Sequence, residues 1–177
     1  MAVIQFPLTL KGKDTGASEA PRVREFTPLL AQRPRTNALW GVPGKQALLE
    51  RLEVIGALAP EAPLSFVVVR VYGLEAIQQR KDASAADALL HDVAARMREL
   101  ARGTDVMGRL SSSSFGLVLQ GTGATAAGAV AARLSHHLNQ IAAASPPAEV
   151  RVSAATGRGM NAAMLPGAAM DSFEECC

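Results

Sequence analysis

The chain has 177 residues, a formal charge of +2 at pH 7, and only two cysteines. That length suits one domain with a real core plus a tail. The weak positive balance does not argue for nucleic acid or a membrane surface as partner, which call for a clustered basic face. The longest apolar run, near Leu64–Val69, is far too short to span a bilayer, and no basic-then-apolar secretory start is present. Cys176 and Cys177 are adjacent at the end and cannot staple a fold, so a reducing cytoplasm is the expected setting.

In chain order, residues 1–35 mix Gly, Lys, Pro, Arg and polar residues, as in Lys11-Gly12-Lys13-Asp14-Thr15-Gly16, and read as a linker or mobile N-terminal segment. Within them Val3–Leu8 has the composition of a short edge strand, weakened by Pro7. Residues 36–177 read as one domain. Gly44–Leu58 carries Leu48, Leu49, Leu52, Ile55 and Leu58 at helical spacing. Leu64–Tyr72 is β-branched and nearly continuous, which suits a central strand covered on both faces. Ser84–Arg102 is helical through Leu89, Leu90, Val93, Met97 and Leu100. Val106–Leu110 and Phe115–Gln120 form a hairpin whose tip is the tetrad Ser111-Ser112-Ser113-Ser114. Thr125–Ala144 is helical through Val130, Leu134, Leu138 and Ile141 and stops at Ser145-Pro146-Pro147. Val150–Ala155 is a further strand. Helix, strand, helix, hairpin, helix, strand is an α/β arrangement, with helices on a mixed sheet.

The stretch Arg109-Leu110-Ser111-Ser112-Ser113-Ser114-Phe115 resembles the hairpin of the GGDEF domain of diguanylate cyclases, R-x-G-G-D-E-F, with Arg109 and Phe115 keeping the frame. The match continues in register from about Asn37 to about Ala155. The family opening D-x-L-T-G-L-P-N-R is answered by Leu39, Gly41 and Pro43, and its D-x-D-G-F by Arg70-Val71-Tyr72-Gly73-Leu74. The family's V-T-V-S-I-G strand corresponds to Val150-Arg151-Val152-Ser153-Ala154-Ala155. The resemblance implies a nucleotide-cyclase-like mixed β-sheet flanked by helices. The family closes with a helix and a last strand, whereas Ser172–Cys177 looks like only that helix's first turn. The closing elements are therefore expected to be missing.

The resemblance also implies a silent active site. Joining two nucleoside triphosphates needs a divalent metal held by hard carboxylate oxygens. The family's metal carboxylates fall on Arg70, Ser113 and Ser114, its second D-x-D aspartate on Tyr72, and its phosphate-approaching glycines on Ser111 and Ser112. Gln78 replaces the guanine-reading Asn, and that residue's Asp partner survives as Asp87, which reads more readily as a surface or helix-start carboxylate. The serines alone read as a tolerant turn. The expectation is no enzyme activity, no cofactor and no metal.

Many relatives carry an R-x-x-D motif five residues before the GGDEF run, where cyclic di-GMP binds as product inhibitor. Here Arg102-Gly103-Thr104-Asp105 stands five residues before the tetrad. With fourteen Arg and six Asp in the chain, an R-x-x-D arises readily by chance, so its position carries the information. Arg102 can fork onto a phosphate or a guanine edge, and Asp105 can accept from guanine N1 and N2. A further family arginine corresponds to Arg133. The plain alternatives are a cation answering the helix dipole at Arg102 and a solvated helix face at Arg133. The expectation is a cyclic di-GMP receptor, binding the ligand singly or as a stacked pair and relaying it to a protein partner or a second copy. The alternative is a nucleotide-independent interaction or dimerisation module; a residual GTP-binding enzyme is a third reading. His136-His137 lack chelating spacing, Gly121-Thr122-Gly123 lacks the Lys of a phosphate loop, and Trp40 is expected to pack under the first helix.

Overall fold

A computed structural model of the chain describes residues 36–37, 41–80 and 83–173, all within one compact unit, Arg33–Cys177. The expectations for residues 1–35, Trp40, Cys176 and Cys177 lie outside the described residues. In chain order the elements are β1 (Thr36–Asn37), β2 (Val42–Pro43), α1 (Lys45–Leu58), β3 (Pro63–Tyr72), α2 (Leu74–Arg80), α3 (Ala83–Leu100), β4 (Val106–Arg109), β5 (Ser114–Gln120), α4 (Ala124–Ala143) and β6 (Glu149–Arg158). A 3₁₀ turn (Gly159–Met164) and α5 (Leu165–Asp171) follow. No described helix is long and apolar enough to cross a membrane.

The main sheet has the order β4-β5-β3-β6, and every pairing in it is antiparallel. The sheet was expected to be mixed. The helical crossovers do join strands that run parallel, β3 to β4 and β5 to β6, but each crossover skips one position. The intervening strand runs the other way and takes the hydrogen bonds.

β3 is central because its sequence can be buried on both sides. Val67, Val69 and Val71 join Phe115, Leu117 and Leu119 of β5 under α3 and α4, against Val93, Met97, Leu134 and Leu138. Phe66 and Val68 face the other way with Val118, under Leu48 and Leu52 of α1 and Leu165 and Ala169 of α5. α1 lies unusually close to the hairpin strands. A Cβ on Gly108 would stand 2.6 Å from Leu48 Cβ, and one on Gly116 would stand 2.7 Å from both Leu48 Cδ2 and Phe66 Cζ. Glycine at both positions is what lets the helix settle there.

β6 is the last strand of the described sheet, and its edge is partly capped. Asn139 of α4 donates through Nδ2 to the Val150 carbonyl at 2.8 Å and accepts the Val150 amide at Oδ1 at 3.0 Å. One side chain thus satisfies a donor and an acceptor that a neighbouring strand would otherwise have taken.

One helix was not foreseen, and two expectations need correction in detail. Leu74–Arg80 forms its own short helix ahead of α3, held by the single buried residue Ile77. β6 runs to Arg158, beyond the expected Ala155. A helix stands at Leu165–Asp171, ahead of the expected Ser172, with Ser172 and Phe173 in the turn that follows it; the rest of the expected segment, 174–177, lies outside the described residues. Pro166 in its first turn has a fixed φ that suits a helix start.

Candidate functional site

The residues singled out in the sequence fall into two groups, at opposite ends of β4. At one end is the serine hairpin. Its tip is closed by its own hydrogen bonds: the Leu110 and Ser111 amides donate to the Ser114 carbonyl, and Ser113 N–H donates to Ser111 Oγ. Ser111 and Ser114 share a hydroxyl contact of 2.6 Å, and Ser114 is buried. Arg109 donates from Nε to the Ser111 carbonyl at 2.9 Å and from Nη2 to the Ser112 carbonyl at 2.8 Å. No non-glycine residue among those described has a positive φ, so this tip needs no glycine for its backbone.

β3 brings Arg70 to this tip, since Val71 N–H donates to the Ser113 carbonyl at 2.8 Å and Arg70 pairs with Ser114. Strand alternation puts Arg70 on the same sheet face as Phe66 and Val68, toward α5. Its guanidinium lies 5.2 Å from the centre of the Phe173 ring. On its other side Arg70 pairs with Arg151 of β6, whose guanidinium lies 5.0 Å from the Tyr72 ring centre and bonds Glu149 at 2.8 Å. That bond, with the Arg151 charge, holds the exposed Glu149 carboxyl below its ordinary pKa. Two like-charged residues can therefore sit side by side because each has an aromatic face to rest on. Among the described residues no three His, Cys, Asp or Glu side chains come together.

At the other end of β4, about 13 Å away for a four-residue strand, is the turn that leaves α3. The turn locks itself. The Asp105 carboxylate accepts the Arg102 amide at 2.8 Å, and the Arg102 carbonyl accepts the Asp105 amide at 3.0 Å. Gln120 of β5 adds a bond from Nε2 to the Thr104 carbonyl at 2.6 Å. Beside this turn is an open cavity of about 320 Å³, with Arg98, Arg102 and Asp105 on its wall together with Val42, Pro43 and Met107. It combines an apolar patch from β2 and β4 with two forked donors and a carboxylate. Such a wall can hold a planar ring and an attached anion at once.

The structure thus brings Arg102 and Asp105 together on the cavity wall, with Arg133 bonded to the end of the helix that leads into them. Arg133 does not line the cavity; its Nη2 donates to the carbonyl of Leu100, the last residue of α3, at 3.1 Å. It answers the unsatisfied carbonyls at a helix C-terminus. Arg98 lines the cavity and was not singled out in the sequence. The available signal was its spacing, one helical turn before Arg102. Gln78 and Asp87 are exposed on α2 and α3.

Comparison with known proteins gives this geometry a context. Residues 36–165 match the family model described as diguanylate cyclase, GGDEF domain. The uncharacterized protein y4lL of Sinorhizobium fredii is 32% identical over 100 residues, which are 53% of this chain and 12% of that protein. The diguanylate cyclase SiaD of Pseudomonas aeruginosa, in complex with its activator SiaC, superposes with a TM-score of 0.65 at 20% identity, over 77% of this chain and 57% of SiaD. The GGDEF domain of DgcB from Caulobacter crescentus, in complex with c-di-GMP, superposes with a TM-score of 0.67 at 12% identity, over 81% of this chain and 88% of that one. The chain therefore spans a small part of the curated relative and little more than half of SiaD.

Proposed function

The chain belongs to the diguanylate cyclase GGDEF-domain family, and we propose that it is a catalytically silent member that binds cyclic di-GMP at the turn between α3 and β4 and relays it to a protein partner. The observation that carries this reading is the self-locked Arg102–Asp105 turn beside an open cavity. The Asp105 carboxylate is held by the Arg102 amide where a guanine edge can reach it, with Arg102 on the same wall, so part of the ordering precedes the ligand. At about 320 Å³ the cavity is at the small end of ligand sites, which run to ~1,000 Å³. It suits one guanine nucleotide of the cyclic pair and leaves the other half outside, open to a second ligand or a partner surface. The c-di-GMP bound to DgcB and the partner bound to SiaD are precedents within the fold.

The hairpin lacks the ligands that metal-assisted catalysis needs. A magnesium ion bound there would need carboxylate oxygens. The position facing the hairpin carries Arg70, whose cation is seated on Phe173, and the Ser114 hydroxyl is buried against Ser111. These residues do not fit a divalent cation bridging phosphates.

Calorimetric titration of the full chain with cyclic di-GMP, with GTP and magnesium as the control, tests the reading. Saturable heat with the first and none with the second is expected. Metal-dependent GTP binding without cyclic di-GMP binding would refute it. A second reading, a nucleotide-independent interaction module, draws on Val54, Leu58, Met160 and Met164, which are exposed on α1 and the 3₁₀ turn packed against it. Apolar, methionine-rich surface of this kind marks docking sites.

A further inference from the structure

We propose that the outer edge of β6 is a self-association surface, on which a second copy of this chain adds its own β6 antiparallel, across a two-fold axis through Ala154. The pairing needs no nucleotide and does not rest on the cyclic di-GMP reading.

The direction of each backbone group in β6 follows from its neighbours. In an antiparallel pair, successive residues turn their N–H and C=O groups alternately toward and away from the partner strand. Val71 of β3 sends its N–H to the Ser113 carbonyl, on the hairpin side, so its partner Val150 also turns away from the pair. Val150 gives both its groups to Asn139 on that outer side. The register between β3 and β6 runs unbroken from Pro63–Arg158 to Tyr72–Glu149, with no bulge. Val152, Ala154 and Thr156 therefore also point their amides and carbonyls outward. Asn139 reaches only Val150. Among the described residues, no strand pairs with this edge, and no hydrogen bond meets the outward backbone groups of Val152, Ala154 or Thr156.

Sheet edges that stay single carry a Lys, a Pro or a bulge that spoils pairing. Val152-Ser153-Ala154-Ala155-Thr156-Gly157 has none of these. Its side chains are short and already turned to the two faces. Ser153 Oγ donates to the Ala169 carbonyl of α5, while Val152 and Ala154 pack against the core on the α4 side. Backbone, not long side chains, forms the rim.

The edge also fits itself. An axis through Ala154 sets Ala154 opposite Ala154 of the second copy, Val152 opposite Thr156, Ser153 opposite Ala155 and Arg151 opposite Gly157. Every outward residue then meets an outward residue and exchanges both hydrogen bonds. Val against Thr is a favourable β-branched pair, and no like charges face each other. An axis through Val152 would instead need Val150, which Asn139 already holds. An axis through Thr156 would leave Val152 facing Met160, beyond the end of the strand. The Asn139 cap and the end of β6 thus select the same register.

The test is sedimentation of the full chain without nucleotide, from low micromolar to near-millimolar concentration, with amide hydrogen exchange followed by NMR at both ends of the range. A monomer–dimer equilibrium is expected, with the Val152, Ala154 and Thr156 amides slowing as concentration rises. Ala154→Pro removes an outward N–H and no bond to β3, which an edge strand tolerates. It should fold and weaken the dimer at least about tenfold. Ala155→Pro removes an N–H that faces β3 and should lower Tm instead. A wild-type chain that stays monomeric throughout would overturn the proposal. So would a dimer whose Val152, Ala154 and Thr156 amides exchange as fast as in the monomer, which would move the contact elsewhere, as to Val54, Leu58, Met160 and Met164. Folded Ala154→Pro with wild-type dimerisation would do the same. Amides already protected in the monomer would show the edge filled by the chain itself, and would equally overturn it. If Ala154→Pro does not fold, the wild-type exchange decides alone. Each of these failures leaves the receptor reading standing, since that is tested by ligand titration.

Discussion

On the proposed function, catalytic silence turns on Arg70. Its cross-strand neighbour is Ser114, which is buried. Replacing Ser111–Ser114 by Gly-Gly-Asp-Glu therefore sets the new glutamate directly opposite a guanidinium. The carboxylate would pair with Arg70 before it could hold a metal ion. The expected outcome is no cyclic di-GMP from GTP with magnesium or manganese, measured by chromatography against a blank; product from that variant would show that Arg70 does not block the site. At the other end, Arg102→Ala removes a forked donor and should weaken cyclic di-GMP binding about tenfold to hundredfold by calorimetry. Asp105→Ala should both loosen the turn and relax selectivity for guanine, checked by competition with a cyclic dinucleotide lacking guanine.

Between elements, two contacts decide how the layers fit, and neither was singled out in the sequence. Asn139 reads there as one more polar residue on a helix, yet it closes both polar groups of Val150 at the edge of β6. Asn139→Ala should cost about 1–3 kcal/mol, as for buried backbone groups left unpaired, and lower Tm by several degrees in a thermal melt. Gly116 reads as a glycine in a strand, which marks a close approach without saying of what. The structure supplies the answer in Leu48 and Phe66, so Gly116→Ala should destabilise by about 1–3 kcal/mol through overpacking, measured by denaturant unfolding. The long periodic elements were readable because their apolar residues repeat over many turns: α1, α3, α4 and β3 fall within two residues of their expected bounds. α2 was missed because Ile77 is its only buried residue. The β1–β2 ribbon was missed because two residues per strand carry no period.

For the whole molecule, the family frame was legible because Arg109, Phe115, Gly41 and Pro43 keep their spacing across the chain. The site was half legible. Arg102 and Asp105 meet through local hydrogen bonds, which an R-x-x-D spacing can foretell. Arg133 depends on where α4 passes the end of α3, and Arg98 on which turn of the helix faces β2. Both are set by packing between elements far apart in sequence. The resulting layout separates a hairpin closed on itself from an open cavity on the far side of β4. The most direct measurement is calorimetric titration of the folded, full-length chain with cyclic di-GMP. Saturable binding that weakens as salt rises, and that Arg102→Ala largely removes, is the expected result. No heat from wild-type protein at high micromolar ligand would contradict it, and Arg102 and Asp105 would then be only the lock on a helix-ending turn.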